Sequence, residues 1–277
     1  MTRADSHTHI FPPEQVSARE ALCGRDPTFA ELYRDPKAKL ATTDRLLSAL
    51  DEAGIDRAVC AGFAFAAERD IEAQNDYLLE AASTAKGRII ALATVNPANP
   101  GWARAAEAAL LAGARGFGEL RPANQGWDPL GEAGQTLAEM ALAHHAVLQW
   151  HVSEPVGHSY PGKRGGIEPA QLCELAARHA GLRMIGAHLG GGLPFFAQMP
   201  EVKETLASVY FDTAAASLLY DDECVPRLVD LVGAEQVLFG SDYPLLSPRR
   251  QLERVNVLLR DDVARIVCGG NIDILFG

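Results

Sequence analysis

An eightfold β/α barrel in a single domain is the fold this sequence predicts, on three observations. Eight short apolar runs recur along the chain, and Ala- and Leu-rich amphipathic stretches separate most of them. The length, 277 residues, suits eight such units, since barrels of this type take about 250 residues. Runs that are apolar throughout fit strands buried on both faces. Strand alternating with helix implies a parallel sheet. The sequence shows no long linker, low-complexity tract or internal repeat, so residues 1–277 are read as one domain.

The first strand ends at His9. The second run covers Asp56 to Ala64 and the third Arg88 to Asn96, followed by proline. The fourth spans Ala114 to Arg121, the fifth Ala146 to Ser153, the sixth Leu182 to Leu189, the seventh Val209 to Thr213 and the eighth Gln236 to Asp242. Helices are expected at Thr43–Ala53, with Leu46, Leu47 and Leu50 at helical spacing before Gly54, and at Trp102–Leu111 before Gly113. Further helices are expected at Gln135–His145, Pro169–His179 and Cys224–Val232. The stretch from Phe11 to Thr42 carries four prolines and reads as a long ordered loop.

Composition narrows the function classes. A formal net charge of −11 lacks the basic footprint of a general nucleic-acid binder. No apolar run reaches the ~18 residues of a membrane span, and the first residues lack a signal peptide's apolar core. The 5 cysteines have no metal-knuckle or redox spacing, which suits reduced thiols in a cytoplasmic protein. The expected partner is a small-molecule substrate, with neither nucleic acid nor membrane; a homo-oligomer is left open.

The chemistry gathers at strand ends. His7 and His9 lie two apart on the first strand, so both side chains face one way. Glu119 ends the fourth strand, His151 the fifth, His188 the sixth and Asp242 the eighth. The C-terminal face of a barrel is where its active site forms. Imidazole with carboxylate suits zinc, iron or manganese. Each residue has a structural alternative: a polar loop for His7 and His9, a backbone-bonded histidine for His188, a cross-strand or substrate contact for Glu119. Asp212, ending the seventh strand, either orients a ligand or bonds backbone. His144, His145 and His179 fall in helical segments and read as solvated or capping groups. Gly190, Gly191 and Gly192 read as room for close backbone approach. There is no Gly-x-Ser-x-Gly nucleophile elbow.

His7-Thr8-His9, His151, His188-Leu189-Gly190-Gly191 and Gly240-Ser241-Asp242-Tyr243-Pro244 together resemble the amidohydrolase superfamily. Within it the sequence is most similar to the amidohydrolase-2, or aminocarboxymuconate-semialdehyde decarboxylase-like, group. Gly270-Asn271-Ile272-Asp273-Ile274-Leu275-Phe276 resembles that group's terminal helix. The resemblance implies a distorted (β/α)8 TIM barrel with a metal centre, in a family of hydrolases and non-oxidative decarboxylases. It implies that His7, His9 and Asp242 bind a first divalent metal, with His151 joining them in mononuclear members. In binuclear members a fourth-strand carboxylate, here Glu119, bridges to a second ion held by His151 and His188. Zinc, as one or two ions, is the expected cofactor, with a lean toward two. Simple decarboxylases of the group use a mononuclear site and do not need this glutamate, so Glu119 tilts the expectation toward hydrolysis.

The loop after the fifth strand offers Glu154, His158, Tyr160 and Lys163 near the barrel mouth, framed by glycine and proline. These are candidate substrate contacts, or else an ordinary polar surface loop. Arg121 is a candidate anchor for a substrate carboxylate, or an ion-pair partner at the rim. The leading expectation is a metal-dependent hydrolase of a small carbonyl compound, a lactone or amide bearing a carboxylate. Asp242 would relay the proton of an activated water, and His188 would polarise the carbonyl or hold a second ion. The alternative is a metal-dependent non-oxidative decarboxylase; a third reading is a non-catalytic metal- or ligand-binding barrel.

Overall fold

The structure, a computed structural model, describes residues 2–277. Eight parallel strands follow one another: β1 Ala4–Thr8, β2 Arg57–Ala61, β3 Ile89–Leu92, β4 Gly116–Leu120, β5 Val147–Trp150, β6 Met184–Gly186, β7 Val209–Asp212 and β8 Val237–Leu238. They form a distorted (β/α)8 barrel. The ladder runs in two segments, β1-β2-β3 and β4 to β8. Single bridges span the seams, Ala93 with Phe117 and Thr8 with Tyr243. Backbone bonds reinforce them: Gly118 N donates to Ala93 O at 3.0 Å, and His9 N to Tyr243 O at 2.7 Å.

Alternation along β5 shows how the layers are filled. Val147 joins an inner cluster with Val59, Leu92, Ile185 and Leu238. Leu148 and Trp150 face outward into the layer beneath the helices. The inner cluster is closed from below by Ile272, Leu275 and Phe276 of the last helix, Asn271–Phe276.

Helices Thr43–Ala53, Trp102–Leu111 and Cys224–Val232 have the expected bounds. Gly54 caps the first with φ 64°, a conformation glycine adopts without steric cost. Glu132–Ala143 begins and ends earlier than expected, its cap His144 being followed by a positive-φ His145. Helix Glu68–Thr84 has no counterpart among the expected elements. Its inner face includes Asp70 and Gln74 beside Ile71 and Leu78, which blurs the apolar period.

The expected loop from Phe11 to Thr42 is instead largely helical. It holds α1 Pro13–Ser17, α2 Arg19–Arg25 and α3 Pro27–Tyr33. Two of its prolines occupy first helical positions, where a missing N–H costs nothing. Asp26 caps α3 by accepting from Phe29 N at 2.8 Å. Proline there starts helices rather than breaking them.

The glycine run after β6 does require close approach. Gly190 sits at φ +58°, and a Cβ on it would lie 2.7 Å from the Phe211 ring; one on Gly191 would lie 2.7 Å from Ser153 O. Gly190→Ala should cost about 1–3 kcal/mol through clash and a left-handed backbone. A denaturant midpoint equal to wild type would contradict this.

Candidate metal centre

β1 carries Asp5, whose Oδ1 accepts from His7 N at 3.1 Å and from Ser241 N at 2.9 Å. This fastens the His-Thr-His strand end to the turn that bears Asp242. Burial raises the Asp5 carboxyl to about 6, against hydrogen bonds from Ser241 and His7 that lower it. Asp212 bonds backbone, one of the two roles left open for it, and also a histidine ring. It accepts from His7 Nδ1 at 2.9 Å through Oδ2, and from His188 N at 2.9 Å and Ala214 N at 3.1 Å through Oδ1.

These acceptors fix the ring tautomers. His7 Nδ1–H donates to Asp212, and His9 Nδ1–H to Ala61 O at 3.1 Å. Both Nε2 atoms are then left with lone pairs, and they face each other at 3.1 Å. At that separation the two nitrogens are satisfied either by a shared proton, His7 Nε2–H donating to His9, or by a metal ion that both bind. Asp242 Oδ1 lies 3.8 Å from His7 Nε2 and 3.7 Å from His9 Nε2. His7, His9 and Asp242 thus form one convergent donor set, and His7, Glu119 and His188 form another. The first, two imidazoles and a carboxylate, is a fitting set for a divalent transition metal. Burial works against a charge on His7, but Asp212, Glu119 and Asp242 outweigh it and push the imidazole up to about 10. The site's field favours a positive charge there.

Glu119 occupies the centre. Its Oε1 lies 2.6 Å from His151 Nδ1, 3.1 Å from His188 Nε2 and 3.9 Å from His7 Nε2. Burial opposes its charge, yet His151, His188 and His7 together hold the carboxyl well below its ordinary value. His188 has acceptors on both sides, Ala214 O at 3.2 Å and Glu119. Its proton affinity is raised, burial notwithstanding, by the Glu119 hydrogen bond and charge. His151 goes the other way, down to about 4, through burial and the Arg121 guanidinium. Neutral His151 donates from Nδ1 to Glu119, and its Nε2 lies 3.1 Å from Ser153 Oγ. It is therefore brought against Glu119 and His188, outside the His7, His9 and Asp242 set.

Arg121 is buried. Its Nη2 donates to Gly162 O at 2.8 Å and Arg164 O at 2.7 Å, and Nε to Asn124 Oδ1 at 3.1 Å. It pins the loop after β5 over the strand ends. Within that loop Tyr160 donates to Glu154 Oε2 at 2.9 Å. Lys163 Nζ donates to Val156 O at 2.5 Å and His158 O at 2.8 Å, and His158 itself is exposed. Asp5 and Asn124 escape a search for strand-end histidines and acids. Asp5 precedes His7 by two on the same strand, which is the signal that could have found it. All 5 cysteines are free thiols.

The amidohydrolase family pattern matches residues 4–277, and the chain belongs to that family. Among solved structures it is similar to 5-carboxyvanillate decarboxylase from Sphingomonas paucimobilis, with TM-score 0.78, 17% identity, and 99% and 98% of the two chains covered. It is also similar to 5-carboxyvanillate decarboxylase from Novosphingobium aromaticivorans in complex with manganese and a nitrobenzoic acid: TM-score 0.77, 18% identity, 99% and 96% covered. 2,6-Dihydroxybenzoate decarboxylase from Rhizobium gives TM-score 0.74 at 15% identity, with 100% and 98% covered. No curated protein matches the chain. Among the described residues, no helix is long and apolar enough to cross a membrane.

Proposed function

We propose that the protein is a metal-dependent non-oxidative decarboxylase of a small carboxylic acid, with His7, His9 and Asp242 holding one divalent ion. One observation carries this reading. The two convergent donor sets share a single atom, His7 Nε2, so the centre suits one ion rather than two. Three protein donors leave positions open for substrate oxygens. The full-length likeness in fold to three decarboxylases supports it. Manganese is as good a candidate as zinc, being bound in one of those relatives.

A divalent ion at this place would supply electrostatic stabilisation to the carboxylate and to charge that develops on its neighbouring oxygens. The chain's own residues do the rest. Decarboxylation replaces a carboxylate on carbon by a proton, so a donor must face that carbon. Asp242 is the most solvent-open of the donors, its side chain 14% exposed, and is the candidate proton carrier. His188 turns Nδ1 to Ala214 O and Nε2 to Glu119, and would bring an N–H to a substrate oxygen by exchanging its Glu119 contact for it. Arg121 holds the loop that closes over the substrate, and Glu154, His158, Tyr160 and Lys163 on that loop are the proposed contacts farther from the ion.

A second reading, hydrolysis of a lactone or amide, is favoured by the place of Glu119 among three histidines, where it could bridge two ions. Turnover separates the two. Manganese- or zinc-loaded protein, offered carboxylated phenols and aliphatic keto acids beside lactones and amides, should release carbon dioxide. Acid release from lactones or amides without carbon dioxide would overturn the decarboxylase reading. Tyr160→Phe and Lys163→Met should weaken kcat/KM about tenfold, as expected for one lost hydrogen bond, with unchanged metal content. Wild-type kinetics in both would make the loop a mere surface.

A further inference from the structure

We infer that a cationic cleft beside the metal centre binds the phosphate group of a phosphorylated small molecule. The cleft, about 570 Å³ in volume, opens between helix Thr43–Ala53 and helix Pro248–Leu258. That is an ordinary size for a small-molecule site. Tyr243 and Pro244, in the turn that follows Asp242, form part of its wall. Tyr243 ties the cleft to the centre. Its carbonyl accepts from His9 N at 2.7 Å, and its hydroxyl donates to Arg45 O at 3.2 Å. The cleft is thus fixed to the strand ends that carry His9 and Asp242, on their helical side.

Charge sets this cleft apart in a chain whose net charge is −11. Lys39, Arg45, Arg249 and Arg250 border it, against two carboxylates, Glu52 and Glu253. Arg249 Nε donates to Glu253 Oε1 at 2.9 Å, one turn along the same helix. Lys39, Arg45 and Arg250 have no ion-pair partner among the described residues. Stability of the fold does not call for this arrangement, since like charges side by side repel. Arg249 and Arg250 also stand in the first turn of helix Pro248–Leu258, which holds no acidic residue, and the helix dipole disfavours cations there. An anion in the cleft relieves both conflicts. Four cations less two carboxylates leave an excess of two positive charges. A phosphate monoester carries close to two negative charges at neutral pH, whereas a carboxylate carries one. Guanidinium groups grip phosphate oxygens through parallel hydrogen bonds, and a lysine adds a point charge. Arg45 on one helix and Arg250 on the other offer such groups from both walls.

Titration calorimetry of the metal-loaded protein tests this with glycerol phosphate and, as its carboxylate counterpart, glycerate. Wild type should bind glycerol phosphate more tightly than glycerate, with an affinity that falls as salt is raised, because exposed charges are screened. Arg45→Gln and Arg250→Gln should each weaken glycerol phosphate about tenfold, as expected for one lost hydrogen bond between charged groups. Both side chains are exposed, so both variants should melt like wild type. Two controls should bind glycerol phosphate as wild type does: Lys203→Gln, exposed and outside the cleft, and His7→Asn, which removes the proposed metal site. No binding in wild type overturns the inference, as does glycerate bound equally well, or full affinity in both arginine variants. Loss of binding in His7→Asn would assign the phosphate to the metal centre instead. An equal loss in Lys203→Gln would reduce the attraction to diffuse surface charge, and either result overturns the site.

Discussion

His7→Asn is expected to yield a folded barrel that retains no divalent ion after dialysis and whose turnover falls by at least about a thousandfold, as loss of a metal centre implies. His7 Nε2 belongs to both donor sets, so no alternative set survives its removal. Asparagine keeps an N–H able to reach Asp212, whose buried Oδ2 would otherwise lose its shortest partner at a cost of about 1–3 kcal/mol. His7→Ala should lose the metal too, with a lower melting temperature besides. Metal content by mass spectrometry and melting by calorimetry read the two effects apart. Full metal occupancy with normal turnover in His7→Asn would place the centre elsewhere.

Glu119→Gln should leave one equivalent of metal in place and lower turnover about a hundredfold or more, the low end for lost proton-transfer assistance. The carboxylate accepts from His151 at 2.6 Å and from His188 at 3.1 Å. An amide in its place offers one acceptor and loses the charge. His188 would then revert toward an ordinary imidazole, since Glu119 is what raises its proton affinity. Wild type reconstituted with excess zinc should bind one equivalent. A second equivalent that Glu119→Gln loses selectively would instead support the bridged, hydrolytic centre.

Much of the barrel is legible in the sequence because its strands are apolar on both faces and its helices are spaced by Gly54 and Gly113. The reach of the strands is not. Runs such as Ala146 to Ser153 continue past the last ladder bond, because residues beyond the rim stay buried under loops. Helix Glu68–Thr84 is hidden by polar groups on its inner face: Gln74 donates to Ile10 O at 3.2 Å and accepts from Phe63 N at 2.9 Å. Composition cannot show that such amides are satisfied. At the site, residue type and strand-end position bring His7, His9, Glu119, His188 and Asp242 into view together. They cannot show which nitrogen of each ring is free, for that depends on acceptors distant in sequence, Asp212 and Ala61. Nor can they show that His151 turns to Glu119, or that Arg121 spends its donors on Gly162 and Arg164 carbonyls.

The seam between the first and last strands has a consequence for biosynthesis. His7 is synthesised long before Asp242, whose N donates to His7 O at 3.0 Å, and Thr8 bridges to Tyr243. Nearly the whole chain must be synthesised before the opening strand has its second neighbour. Until then two imidazoles and the buried Asp5 lie at an unpaired edge, open to wrong pairing and to stray metal. Translation at about 5–20 residues per second makes that exposure last more than ten seconds, so the proposed donor set, which needs Asp242, can be complete only once the last strand closes on the first.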